Sequence, residues 1–127
     1  MLEMKKLKAI LIIVLSSILS GSLLASVQVN FDYKTFLIPN EGPYVETHLN
    51  FIGGTMNYAR NTDGFLEANL EALIIFRNSD GIVAYEKINL KSPETMDSLF
   101  VDFLDIRRFT LSAGSYYLEL SITDLNI

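Results

Sequence analysis

The chain has no cysteine and no tryptophan, and His48 is its only histidine in 127 residues. Without cysteine there is no disulfide, no thiolate nucleophile, no thiolate metal site and no lipid-bearing cysteine of the bacterial lipoprotein type. With one imidazole, no site that needs two can be built. A Gly-x-Ser-x-Gly nucleophile elbow and an Asp-x-Asp-x-Asp-Gly calcium loop are both missing. Positive charge is scarce as well, with 10 bases against 15 acids. What remains is half apolar and one-fifth charged, the composition of a folded domain. The length fits one domain, or one domain behind a targeting segment.

Residues 1–25 have the order of a secretory signal peptide. Lys5, Lys6 and Lys8 come first, followed by the uncharged run from Ala9 to Leu19 and then by Ser20, Gly21, Ser22 and Ala25. Lysines stay on the cytoplasmic side while an apolar run enters the bilayer. Cleavage is expected after Ala25 or Ser26. The competing reading is a retained anchor, because Ala9 to Val27 is 19 uncharged residues, close to spanning length. The serines and Gly21 weaken it, and no basic stop-transfer cluster follows. Removing Glu3 and three lysines leaves 14 acids and 7 bases in residues 26–127. That negative balance excludes nucleic acid as an expected partner, and leaves membrane contact only to an uncleaved signal segment.

From Val27 onward the apolar period is two. Val27, Val29, Phe31 and Tyr33 alternate with polar residues, as do Val45, Thr47, Leu49 and Phe51. Pro39-Asn-Glu-Gly-Pro43 marks the turn between them. Gly53-Gly54 ends the second strand. A short strand through Met56 and Tyr58 precedes the hairpin signal Asn61-Thr-Asp-Gly64. Leu66, Ala68, Leu70, Ala72, Ile74 and Phe76 share one face of a long strand, apolar on both faces from Leu73 onward and so expected to be central. Ser79-Asp-Gly81 turns into a strand over 82–90, and Tyr116, Leu118, Leu120 and Ile122 form a last one. Over 96–103 the crowding of branched and aromatic residues favours a strand over a helix capped by Ser92-Pro93-Glu94. A turn at Leu104 to Arg107 is expected to follow. About seven strands in some hundred residues predict an all-β, immunoglobulin-like antiparallel sandwich over 26–127.

Several segments resemble a known family. They are Phe31-Asp-Tyr-Lys-Thr-Phe36, Glu41-Gly-Pro-Tyr-Val-Glu-Thr47, Leu90-Lys-Ser-Pro-Glu94, Phe103-Leu-Asp-Ile-Arg-Arg-Phe-Thr-Leu111 and Gly114-Ser-Tyr-Tyr-Leu-Glu-Leu-Ser-Ile-Thr-Asp-Leu125. Together they resemble the N-terminal region of bacterial GWxTD-domain proteins, over most of residues 28–125. The resemblance implies an exported protein with a β-sandwich front portion and no established chemistry. The Gly-Trp-x-Thr-Asp motif itself is absent, which suggests a truncated member or a piece of a longer chain.

The candidate chemistry is thin. His48 falls on the polar side of its strand with Glu46 and Asn50, and is expected in water. Asp97, Asp102 and Asp105 are close in sequence, but carry no metal-ligand spacing. Asp63-Gly64 and Asp80-Gly81 read as turns. Arg107 and Arg108 are expected to pair with acids such as Asp102 or Asp105 rather than to clamp a ligand. No catalytic, metal or cofactor-binding residue is expected. Tyr44, Tyr85 and Tyr117 lie on the least determined faces and are the candidate contact surface. The expectation is a non-enzymatic module that offers a sheet face or edge strand to another envelope protein or to a C-terminal domain absent from this chain. It would sit in the periplasm, at the outer membrane or outside the cell. The alternative is a carbohydrate- or peptide-binding module, which requires exposed tyrosines gathered on one face.

Overall fold

The structure, a computed structural model, describes residues 26–126. The expected signal segment 1–25 lies outside them. Seven strands form: β1 (Val29–Ile38), β2 (Gly42–Phe51), β3 (Tyr58–Arg60), β4 (Leu66–Asn78), β5 (Gly81–Lys91), β6 (Phe103–Thr110) and β7 (Tyr117–Asp124), with one 3-10 turn at Gly53–Thr55. They divide into a three-stranded sheet of order β1-β2-β6 and a four-stranded sheet built on β4. All pairing is antiparallel. This is the all-β sandwich expected from the alternation.

β4 is the axis of the second sheet. β5 pairs along one of its edges and β7 along the other. At its start, Leu66 and Ala68 spend their backbone bonds on Thr95 and Ser92, which continue the β5 edge. β3 therefore extends the β7 edge. The Ser92 hydroxyl accepts from the Ala68 amide at 2.8 Å, acting as a surrogate ladder carbonyl rather than as a helix cap.

The core forms between the two sheets. Thr47, Leu49 and Phe51 of β2 are buried and face Ala68, Leu70, Ala72, Ile74 and Phe76 of β4, all five also buried. Two alanines set between larger side chains allow the layers to close. Phe109 of β6 meets Phe76 across the layers, with ring centres 4.9 Å apart, and Phe51 stacks on Phe103 within one layer. Leu118, Leu120 and Ile122 of β7 pack against this cluster.

Turn chemistry matches the sequence. Gly64 and Gly81 take positive φ at the β3–β4 and β4–β5 hairpins, and Asn40 does so between β1 and β2. Gly53 serves close approach instead. A Cβ there would lie 2.4 Å from the Val101 carbonyl oxygen.

Two expectations need correction. Residues 96–102 form a bend at 96–98 and irregular chain after it rather than a strand, and Leu104 to Arg107 lie inside β6 rather than in a turn. The cause is local. Thr95 already closes the ladder on Leu66. Asp97 then turns the chain by accepting from the Leu99 amide at 2.9 Å, and Asp102 accepts from the Gly53 amide at 2.7 Å. Pairing resumes at Phe103, where Phe51 offers the next partner. Phe31 and Tyr33 are also not core residues, although they point to the inner side of their sheet.

Candidate functional site: an edge strand and the groove beside it

β1 sits at the end of the first sheet and pairs with β2 alone. Its register places Phe31, Tyr33 and Thr35 opposite Leu49, Thr47 and Val45, so these three face inward. The second sheet does not extend over them. Every residue from Asn30 to Ile38 is exposed, and Leu37 keeps 75% of its accessible surface. Between this overhang and the loop leading into β7 runs a groove of about 460 Å³. Phe31, Tyr33, Phe76, Tyr116, Tyr117 and Leu118 supply its largely apolar wall.

The backbone of the edge is directional. The Ile52 amide donates to the Gln28 carbonyl, which fixes the parity of the β1–β2 ladder. Even-numbered residues of β1 bond to β2, and odd-numbered ones aim their N–H and C=O groups outward. The Tyr33 amide accordingly finds the Asp32 carboxylate at 2.8 Å instead of a strand. No described residue pairs with this outer edge.

The outer face of the same sheet carries the charge cluster. Glu46 accepts from His48 Nε2 at 2.7 Å and from Arg108 Nε at 3.0 Å. Those two hydrogen bonds, His48 first and Arg108 second, hold the Glu46 carboxyl below its ordinary 4.5. His48 is thus on the expected face but engaged by a carboxylate. Arg108 also lies over the Tyr44 ring at 5.4 Å, and Tyr44 stacks on Phe36 at 4.9 Å. Arg107 bonds to Asp105 at 3.2 Å and reaches across the layers to Glu86 at 3.3 Å, tying β6 to β5. Asp102, the other expected partner, is occupied by Gly53. Near Asp102, burial pushes the Tyr58 hydroxyl above its ordinary 10.0, while the hydroxyl donates to the Gly53 carbonyl at 2.8 Å.

The three candidate tyrosines do not share a surface. Tyr44 is on the outer face of the first sheet. Tyr85 and Tyr117 are on the outer face of the second, 68% and 78% exposed, on strands β5 and β7 with β4 between them. Arg77 and Glu119, bonded at 2.7 Å, occupy the same face. Of the three, only Tyr117 touches the groove. Phe31, Tyr33 and Tyr116 fall on the apolar side of their alternating segments in the sequence, and all three line the groove. A tight hairpin follows β1 directly and gives one of its edges to β2, while no described residue shields the other.

Among the described residues, no group of three or more His, Asp or Glu side chains could hold a metal ion, and no helix is long and apolar enough to cross a membrane. Comparison with family models, characterised proteins and solved structures finds no match to this chain.

Proposed function

We propose that the protein is an exported, non-enzymatic assembly module that takes a strand from a partner onto the outer edge of β1. One observation carries this reading: β1 exposes a run of outward backbone groups together with an aromatic inner face that its own second sheet leaves uncovered. Exposed edges template pairing with another chain, and natural proteins usually blunt them. Strand addition of this kind draws affinity from the main chain and specificity from alternate side-chain pockets. Export rests on the order of lysines, apolar run and small residues in 1–25. The resemblance to the front portion of GWxTD-domain proteins supports an envelope setting, with another envelope protein or a following domain as partner. The carbohydrate-binding alternative has less support, since the exposed tyrosines are split between two faces.

Site-specific photocrosslinking in the producing cells tests the reading. A photoreactive residue at Leu37 should give a protein adduct, and one at Asn89, on the outer face of β5, should not. Equal yields at both positions, or none at Leu37, would reject it.

A further inference from the structure

Resting on that reading, we infer that the strand β1 accepts is β1 of a second copy, paired antiparallel about Tyr33. The argument begins with parity. Only the odd-numbered residues of β1 present backbone groups outward, so a two-fold pairing must match odd with odd and even with even. Three registers near the centre of the strand satisfy this. Centring on Asp32 sets two carboxylates against each other, and centring on Lys34 sets two ammonium groups against each other. Centring on Tyr33 places Asp32 opposite the partner's Lys34, and Lys34 opposite the partner's Asp32.

The central register is favoured on three further counts. Asp32 and Lys34 fall at non-hydrogen-bonded positions of the new ladder, where opposing side chains are closest. Neither has a salt-bridge partner among the described residues. The pairing also extends a charge ladder already present. Arg108 lies beside Glu46, and Glu46 beside Lys34. The partner's Asp32 follows, and it in turn lies beside the partner's His48. From Arg108 through Glu46 and Lys34 to the partner's Asp32 the signs alternate.

The longer edge strands elsewhere do not offer this: β5 also ends its sheet, but its Glu86, Lys87 and Lys91 are already paired with Arg107, Glu71 and Glu67. β7 carries Glu119 and Asp124 with no base. β6 has the self-complementary pair Asp105 and Arg107, but these are already bonded to each other and to Glu86. On joining, the Tyr33 amide exchanges the Asp32 side chain for the partner's Tyr33 carbonyl, which releases the carboxylate for Lys34. The two inner faces then form one continuous aromatic row.

The full chain, as isolated from its producing cells, provides the test, and its lack of native cysteine makes a single introduced thiol a clean reporter. Tyr33→Cys should give a disulfide dimer on mild oxidation, because the position faces itself. Asn30→Cys should not, because it faces Phe36 and lies roughly 20 Å from its own counterpart along the strand. Asp32→Lys and Lys34→Glu, each alone, should weaken self-association on the order of tenfold. Mixed in equal amounts, the two variants should recover it, since every opposed pair is again of opposite sign. A misfolded variant would not complement. A wild-type chain that sediments as a monomer at all concentrations, equal crosslinking at positions 30 and 33, or failure of the mixture to recover would each overturn the inference. If the Leu37 adduct in cells contains a different protein, the second copy is wrong and the assembly reading stands. If there is no adduct, both fall.

Discussion

β1 and β4 carry the same alternation and meet opposite fates. In β4, Leu70 and Ile74 are wholly buried, while in β1 Tyr33 and Leu37 keep more than half of their surface. Both strands place apolar side chains at alternate positions, broken in β1 only by Thr35, and both turn that row toward the inside of their sheet. The difference is what lies across from them. β4 is flanked on both edges and roofed by β2 and β6, whereas among the described residues β1 has one neighbour and no roof. Alternation therefore specifies which way a side chain points. It does not specify whether anything waits there.

Paired truncations break this comparison most sharply. Leu70→Ala should cost about 2–5 kcal/mol, because it removes methyl groups from a closed core. Leu37→Ala removes the same atoms from the edge and should stay within about 0.5 kcal/mol. Denaturant midpoints compare the two directly. Equal losses would mean that β1 is covered.

Gly53→Ala comes next. Its new Cβ would sit 2.4 Å from the Val101 carbonyl oxygen, with Phe100 O at 2.8 Å, so backbone must shift. A loss on the order of 1–3 kcal/mol is expected by thermal or chemical unfolding. Ser92→Ala should cost a similar ~1–3 kcal/mol, since it leaves the buried Ala68 amide without its acceptor. Ser92→Thr, which keeps the hydroxyl, should recover part of it.

The smallest effect is on pH. Glu46 titrates lower when folded than its ordinary 4.5. Its contribution is therefore present above about 4.5, where the unfolded chain is also ionised, and is lost as pH falls through the lower folded value. Substituting His48 with Ala removes the largest cause and should bring the Glu46 carboxyl back toward 4.5, readable by carboxyl-carbon NMR. An unchanged Glu46 in that variant would show that Arg108 alone holds it down.

Much of the fold was legible because the turns were. Asn61 to Gly64, Ser79 to Gly81 and Pro39 to Gly42 all sit where backbone angles demand those residues, and they fix the hairpins around β4, β5 and β1. The central place of β4 could be read from its doubly apolar end. The segment 96–102 was not legible, because its apolar composition suits a strand while Asp97 and Asp102 divert it through side-chain-to-backbone bonds that no spacing announces. In β6 the pattern itself misleads. Leu104 and Ile106 point outward, while Asp105 and Arg107 point inward and satisfy each other and Glu86. The site was least legible of all. Alternation leaves the faces of Tyr44, Tyr85 and Tyr117 undetermined, and an open edge is a property of strand order, which pairwise alternation does not encode.

Amide hydrogen exchange along β1 tests the central claim most directly. Asp32, Lys34 and Phe36, bonded to β2, should be protected at every concentration. Phe31, Thr35 and Leu37 should exchange freely in dilute solution and become protected as the protein is concentrated. If those odd-numbered amides are already protected at high dilution, the edge is closed within the single chain and the account is wrong.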